Sequence, residues 1–292
     1  MKVAVLFPSK KLKKHHFRVI TEYLSTNHDL SVCNLLSHTD IDALESDYDL
    51  IIHKYTEPLF FSCIGDKTAL KVVNSIDKFV SKQKNARIVG GHDFLSVLVS
   101  RSMLYNWCLS NNVHMPETIA LDIENTKSAI DLLSRSGGCI IKPLIACGSK
   151  PAHQMFCYST ADELGRILAS EEFTNHVLKD WIVQVFHHTS VFFKIYFFFN
   201  NVYIKVKEQF PFNCYNTQDH SANDSSAFSL SEEIKCHLEA LCTRLNNLSA
   251  MDVFGIDVIL VDGQFLLVDF NYFPSFKHVK NFSNVFLEYL KL

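Results

Sequence analysis

Apolar residues along this chain recur with two different periods, and the changes between them mark out its elements. Residues 3–7, Val-Ala-Val-Leu-Phe, are an unbroken apolar run closed by Pro8, as in a strand buried on both faces. A polar, basic helix is expected over 10–24, followed by strands at 30–35 and 50–53. Leu70, Val73, Ile76 and Val80 stand at helical spacing within 67–81, and a strand at 87–89 runs into the turn Gly90-Gly91. This opening is an α/β unit that closes near residue 90. Helical patterns return over 94–108 and 126–135, separated by Met115-Pro116 and the apolar stretch 118–121. Strands are expected at 139–142, 155–158 and 181–186, with a helix at 161–170 between the last two. Residues 144–152 hold Gly148, Ser149, Lys150 and Pro151 between apolar segments and read as a mobile loop. Two phenylalanine-rich strands, 191–199 and 202–207, meet at Asn200-Asn201, a hairpin turn. Residues 213–228 are polar and irregular, and an amphipathic helix over 231–245 leads to a last hairpin and a short closing helix.

That last hairpin carries a question of register. Residues 253–261 and 264–271 are strand-like runs around Asp262-Gly263, a strong turn signal. Asp257 and Asp269 stand equally far from Gly263, so an odd loop centred there sets them opposite each other, with Asn271 on the same face by the two-residue period. A two-residue loop pairs Asp257 with Val268 instead and sends the carboxylates to opposite faces. Two carboxylates and an amide on one face of apolar strands repel one another and are poorly solvated unless a cation lies between them. Magnesium, which prefers hard oxygen ligands, is the natural occupant. The other reading is a solvent-facing strand with ordinary exposed acids.

Composition narrows the class. Of 292 residues, 48% are hydrophobic and 20% charged, with nine Gly and seven Pro, which describes an ordered globular chain. The first apolar run is too short for a signal-peptide core, and residues 191–199, the most apolar stretch, are interrupted by Lys194 and too short to span a membrane. Nine cysteines without a C-x-x-C pair fit free thiols, hence the cytoplasm or the nucleus. A net charge of −3 does not point to nucleic acid or membrane as partner, and the absence of heptads favours a monomer.

Local clusters carry the candidate chemistry. Lys142 ends an apolar strand six residues before Gly148-Ser149, an arrangement that suits phosphate, with backbone N–H groups over the oxygens and the ammonium beneath; a solvated strand-end lysine is the alternative. The strand 181–186, Trp-Ile-Val-Gln-Val-Phe, can offer adenine its backbone edge at Gln184, Val185 and Phe186, or can simply be core. His187-His188 suits metal or phosphate, or stands as two surface imidazoles. Lys10-Lys11-Leu12-Lys13-Lys14 concentrates positive charge just after the first strand, where ligands gather in open α/β sheets; a solvated helix face or a nuclear-localisation signal are the other readings. Lys54 and Arg101 add further cations.

Together these pieces resemble the inositol 1,3,4-trisphosphate 5/6-kinase family, also called inositol-tetrakisphosphate 1-kinases. The resemblance rests on the lysine run at 10–14, Ile51-Ile52-His53-Lys54, and Lys142-Pro143 with Ala146, Gly148-Ser149 and His153. It continues through Gln184 with His188 and Lys194, Phe254-Gly255-Ile256-Asp257, and Val268-Asp269-Phe270-Asn271-Tyr272-Phe273-Pro274. It implies an α/β ATP-grasp fold, with an N-terminal α/β domain over 1–92 on the inositol-phosphate side and two lobes, 93–187 and 188–292, clasping ATP. It implies transfer of the γ-phosphate to a hydroxyl of a phosphorylated inositol, with two magnesium ions at Asp257, Asp269 and Asn271. Arg101, Lys142, Gly148, Ser149, Gln184, Val185, Phe186 and Lys207 fall to ATP. Lys11, Lys54, His153, His188, Lys194, Asn271 and Ser275 fall to the inositol phosphate, and Lys194, Asp269 and Asn271 to the transfer itself. The chain departs from the family pattern at Lys207-Glu208-Gln209-Phe210, where Arg-x-Ser-Leu is usual, and at Ser100, Ala152 and Ser275. An ATP-grasp carboxylate–amine ligase and a nucleotide- or inositol-phosphate-binding pseudokinase are the competing functions.

Overall fold

The apolar run at the start of the chain forms β1 (Lys2–Phe7), in which Val3 to Phe7 are all buried. In the computed structural model, which describes residues 1–35, 37–44, 47–121, 126–146, 151–176, 180–187, 191–207, 229–276 and 279–290, this strand lies inside the first of three four-stranded sheets. The helix expected over 10–24 is instead two helices, α1 (Ser9–Leu12) and α2 (His15–Asn27). Lys14 between them takes extended backbone at ψ 141° and so begins a second helix. Next come β2 (Asp29–Asn34), α3 (His38–Asp42), β3 (Leu50–His53), α4 (Thr56–Cys63), α5 (Lys67–Lys82) and β4 (Arg87–Val89). Asp66 caps α5 by accepting from the Thr68 and Ala69 amides. The buried stripe of that helix runs through Ala69, Val72, Val73, Ile76, Phe79 and Val80, while Leu70 faces outward. The sheet order is β2-β1-β3-β4, all parallel, so the carboxyl ends of the strands open on one side.

A single helix expected over 94–108 is likewise broken, into α6 (Leu95–Val99) and α7 (Arg101–Ser110). Ser100 at the break is extended, bridges to Ile145, and caps α7 through the Met103 amide. The second sheet is built from β5 (Thr118–Leu121), α8 (Lys127–Ser136), β6 (Cys139–Pro143), β7 (Phe156–Tyr158), α9 (Ala161–Leu168), α10 (Glu171–Thr174) and β8 (Trp181–Val185). Its order is β5-β8-β6-β7, antiparallel throughout. The third contains β9 (Phe192–Phe198), β10 (Asn201–Lys207), α11 (Glu232–Ser249), β11 (Val253–Val261), β12 (Gln264–Tyr272) and α12 (Phe282–Leu290), in the antiparallel order β10-β9-β11-β12. The β9–β10 turn is Phe199-Asn200, one residue earlier than expected, with φ of 49° and 65°. The Phe199 ring stacks on Tyr289 at 3.5 Å, which offsets the cost of that backbone.

First and third sheets share one continuous apolar core, in which Phe7 of β1 and Phe17 of α2 meet Phe273 after β12, and Phe17 also meets Phe282 of α12. The second sheet has a separate core around Leu132, Ile141, Phe173, Trp181 and Val183. Between the second sheet and the third lies a narrow cleft, lined by Ile140, Lys142 and Gln184 on one side and Ile259 and Val268 on the other. Among the described residues no helix is long and apolar enough to cross a membrane. The irregular stretch 213–228 and the centre of the expected loop, 147–150, lie outside the described residues.

Candidate functional site

The last hairpin answers its register question in an unexpected way. Its loop is the two-residue turn Asp262-Gly263, with φ of 49° and 80°, and Val261 pairs with Gln264. That loop by itself would put Asp257 opposite Val268. A bulge between Asp257 and Val258 resets the ladder, so that Val258 pairs with Leu267 but Asp257 pairs with Asp269. The carboxylates are opposed although the odd loop is absent. Val268, the extra residue, lines the cleft together with Ile259 and residues of the second sheet.

On the other side Asp257 faces Lys194 of β9, whose ammonium donates to Asp257 Oδ1 at 3.0 Å. Burial pushes the Asp257 carboxyl upward, and Asp269 beside it adds to the shift against the opposing pull of Lys194. Burial is the largest single influence on Lys194 and lowers it, but the charge and hydrogen bond of Asp257, with smaller pulls from Tyr196 and Asp269, together turn the net shift upward. Asn271 donates from Nδ2 to Asp269 Oδ2 at 2.6 Å, which turns its Oδ1 away from that carboxylate. Gly255, paired with Asn271, leaves room for Pro274, because a Cβ there would stand 2.9 Å from the proline ring. Lys207, on the same sheet, adds a favourable charge toward Asp257.

Asn271 also lines a cavity of about 410 Å³ at the carboxyl ends of β1 and β3. Around it stand Lys10, Lys11, Lys14, Lys54, His153 and Ser275, with Glu57 as the acid among them. Lys11 is buried and donates to the carbonyls of Phe273 and Pro274 at 2.9 and 3.0 Å. Lys54 donates to the carbonyls of Tyr272 and Phe273, the latter at 3.0 Å. Two lysine side-chain nitrogens thus converge on the segment that follows the paired acids. Burial pushes Lys11 down to about 6, with repulsion from Lys54 and Lys14 adding to it.

The same segment is anchored from below. Tyr272 sends its hydroxyl into the first sheet, where it meets His53 O at 2.6 Å, Val89 O at 3.1 Å and His53 Nδ1 at 3.3 Å. Gly90, with φ of 101°, admits that ring, since a Cβ would fall 2.2 Å from the phenolic oxygen.

Across the cleft, Lys142 at the end of β6 is buried and donates to Gln184 Oε1 at 2.6 Å. Burial pushes it down to about 8, helped by Arg101, while Asp269 and Asp257 pull the other way. Gln184, Val185, Phe186 and His187 line the cleft with Lys142. The Val185 and Phe186 amides already donate to Glu117 O and Gly138 O, both at 2.9 Å, so these two positions offer a ligand carbonyls rather than N–H groups. Arg101 is buried and spends its guanidinium on the carbonyls of Pro143, Ile145 and Ala152, tying together the chain on both sides of 147–150. Arg101, which the resemblance assigns to ATP phosphates, thus stands behind the loop that would cover them. Ala152, one of the departures from the family pattern, is buried against Phe60. Gly148, Ser149 and His188 lie outside the described residues.

Sequence reasoning gave no role of their own to Glu57, to Tyr272, or to Thr118, whose hydroxyl accepts from Gln184 Nε2 at 2.9 Å. A threonine or tyrosine on a half-apolar strand has the same sequence signature whether its hydroxyl is structural or aimed at a site. Among the described residues no group of three or more His, Cys, Asp or Glu converges. The donor set is two carboxylates and an amide oxygen, which fits magnesium with retained waters better than a metal needing a full protein cage.

Two antiparallel lobes facing one another across a cleft, beside a parallel α/β sheet, define an ATP-grasp protein. Solved structures agree on the fold. An ATP-grasp RimK domain protein of Sphaerobacter thermophilus superposes with a TM-score of 0.63 at 14% identity, over 95% of this chain and 93% of its own. D-alanine–D-alanine ligase from Bacillus anthracis does so with a TM-score of 0.63 at 13% identity, over 99% and 92%. The family model of the inositol 1,3,4-trisphosphate 5/6-kinase ATP-grasp domain matches residues 110–292, and the chain belongs to that family. Inositol-tetrakisphosphate 1-kinase 6 of Oryza sativa is 27% identical over a 168-residue alignment that covers 48% of this chain and 28% of the rice protein. Inositol-tetrakisphosphate 1-kinase 4 of Glycine max is 22% identical over a 282-residue alignment that covers 84% of this chain and 75% of its own.

Proposed function

We propose that this chain is an ATP-dependent kinase that phosphorylates hydroxyls of inositol tris- and tetrakisphosphates. The observation that carries the reading is the double placement of Asn271, which bonds Asp269 on the paired-acid face and also lines the lysine-rich cavity. A phosphoryl donor bound on one side of that residue and a polyanionic acceptor on the other would meet at it. Phosphoryl transfer through a loose transition state demands alignment and charge neutralisation more than a strong base, and the site offers cations on both sides.

In this reading the cleft takes ATP, with Lys142 toward its phosphates, Gln184 to Phe186 along the adenine edge, and Lys207 adding charge from β10. Asp257, Asp269 and the Asn271 amide oxygen would hold magnesium, which when bound neutralises the phosphate charge and orients the transferred group. Lys194 works against the upward shift of Asp257 and holds its carboxylate in place. Lys11, Lys54, His153 and Ser275 would receive the acceptor's phosphates. The fold neighbours that are ligases keep a second reading open, the activation of a carboxylate for amide formation. The cavity argues against it, because four lysines and a histidine exceed what one carboxylate needs. A third reading, a pseudokinase, draws on the unusual 207–210 segment. We place the protein in the cytoplasm or nucleus as a monomer, in keeping with its free cysteines.

Calorimetric titration of Lys54→Ala with an inositol tetrakisphosphate and with magnesium–ADP tests the division of the site. Inositol phosphate affinity is expected to fall about tenfold, as for loss of one charge-assisted contact, with nucleotide affinity unchanged. Equal losses of both ligands would contradict it.

A further inference from the structure

Three polar side chains lie in a row on the cleft face of the second sheet, and all are buried: Thr118 at 6% exposure, Gln184 at 3% and Lys142 at 4%. The ladder places them there. Thr118 of β5 pairs with Gln184 of β8, which pairs in turn with Ile140 of β6, two residues before Lys142. Their hydrogen bonds form a chain: Lys142 Nζ to Gln184 Oε1 at 2.6 Å, Gln184 Nε2 to Thr118 Oγ1 at 2.9 Å, and Thr118 Oγ1 to Pro116 O at 2.9 Å.

The direction of every bond in this chain is set at its far end. A carbonyl can only accept, so the one hydroxyl proton of Thr118 goes to Pro116 O. The hydroxyl oxygen is then left with lone pairs toward Gln184 and must receive a donor, which only the amide nitrogen can supply. The amide oxygen is thereby turned toward Lys142. A flipped amide would set two donors against each other at Lys142 and two acceptors near Thr118, with all of these groups away from water. Pro116 itself lines the same cleft, so the chain begins and ends on its wall.

We propose that Thr118 is a positioning residue of the nucleotide site: held by the Pro116 carbonyl, its hydroxyl fixes the Gln184 amide so that the Lys142 ammonium stays aimed at the nucleotide's phosphates. Thr118 touches no ligand in this scheme and acts through Gln184. The inference rests on the reading of Lys142 as a phosphate contact. It makes the effect of Thr118 selective, because adenosine does not reach the ammonium while ADP does.

The test is calorimetric titration of wild type, Thr118→Val and Thr118→Ser with magnesium–ADP and with adenosine. Valine keeps the shape and removes the acceptor. It is expected to weaken magnesium–ADP about tenfold while adenosine binds as in wild type, and serine, which restores the hydroxyl, is expected to match wild type for both. Thr118→Val binding magnesium–ADP as tightly as wild type would overturn the inference, as would equal losses for ADP and adenosine or a serine variant as weak as valine. Should the valine variant not fold, Thr118→Cys, a much poorer acceptor, takes its place with the same expectations. Wild-type protein that binds neither ligand would overturn the nucleotide-site reading beneath it, a result distinct from a wild type that binds both and a valine variant that does the same.

Discussion

Burial pushes Lys11 down to about 6, and the neighbouring Lys54 and Lys14 work in the same direction, so near neutral pH most of this amine carries no charge until an anion arrives. A neutral amine still has two protons to donate, and the Phe273 and Pro274 carbonyls take them. A polyphosphate bound in this cavity, as proposed, would restore a favourable environment for the ammonium. Binding at pH 8 is therefore expected to draw up to about one proton from solution at Lys11, read as a dependence of the calorimetric enthalpy on buffer ionisation heat. Lys11→Met should remove that dependence; an unchanged slope would count against the assignment. Without ligand the sign is set by the unfolded chain, which holds this proton between about 6 and 10.5, so the Lys11 contribution to stability rises with pH across that window. Residues of this kind were legible because a run of charge just after a strand, or a charge within or at the end of an apolar one, demands an explanation. Lys54, Asp257 and Asp269 stand out in the same way. Thr118 and Tyr272 did not, because each fits an ordinary strand face and the partner of its hydroxyl comes from another part of the chain.

Elements with a clear period emerged from the sequence close to their observed limits, as β1, α5 and the two C-terminal hairpins show. What failed was punctuation. Lys14 and Ser100 interrupt helices without glycine or proline, so no local signal marks the breaks. The bulge in the last hairpin is similar, since Leu267 and Val268 are both apolar and neither advertises an extra residue. Its consequence is specific: one strand presents both Val268 to the nucleotide cleft and Asp269 to the acid pair. Deleting Val268 would leave a regular ladder after the two-residue turn, with Asp257 still opposite Asp269. The shortened protein is expected to fold and to weaken magnesium–ADP by about fivefold, the worth of one apolar contact, in the same titration. Unchanged nucleotide affinity would show that the bulge has no part in the cleft.

At the scale of the molecule, the first and third sheets form one apolar body and the second stands apart with its own core. Periodicity reveals which faces are buried but not against what, so this partnership was not legible in the sequence. It matters because Tyr272, seated beneath Gly90, ties the acid-bearing strand to the sheet that supplies Lys11 and Lys54. The lysines and the paired acids are thus held on one apolar body, while the second lobe supplies Ala146 and His153 to the cavity and completes the cleft. The central claim is that phosphate passes across Asn271 from nucleotide to inositol. Its most direct test is incubation with γ-labelled ATP, magnesium and inositol tris- or tetrakisphosphate, for wild type and Asp269→Ala. Label is expected on the inositol with wild type and about a hundredfold less of it with the variant. Transfer that survives the substitution, or ATP turnover that requires an amino acid or amine in place of the inositol phosphate, would contradict the account.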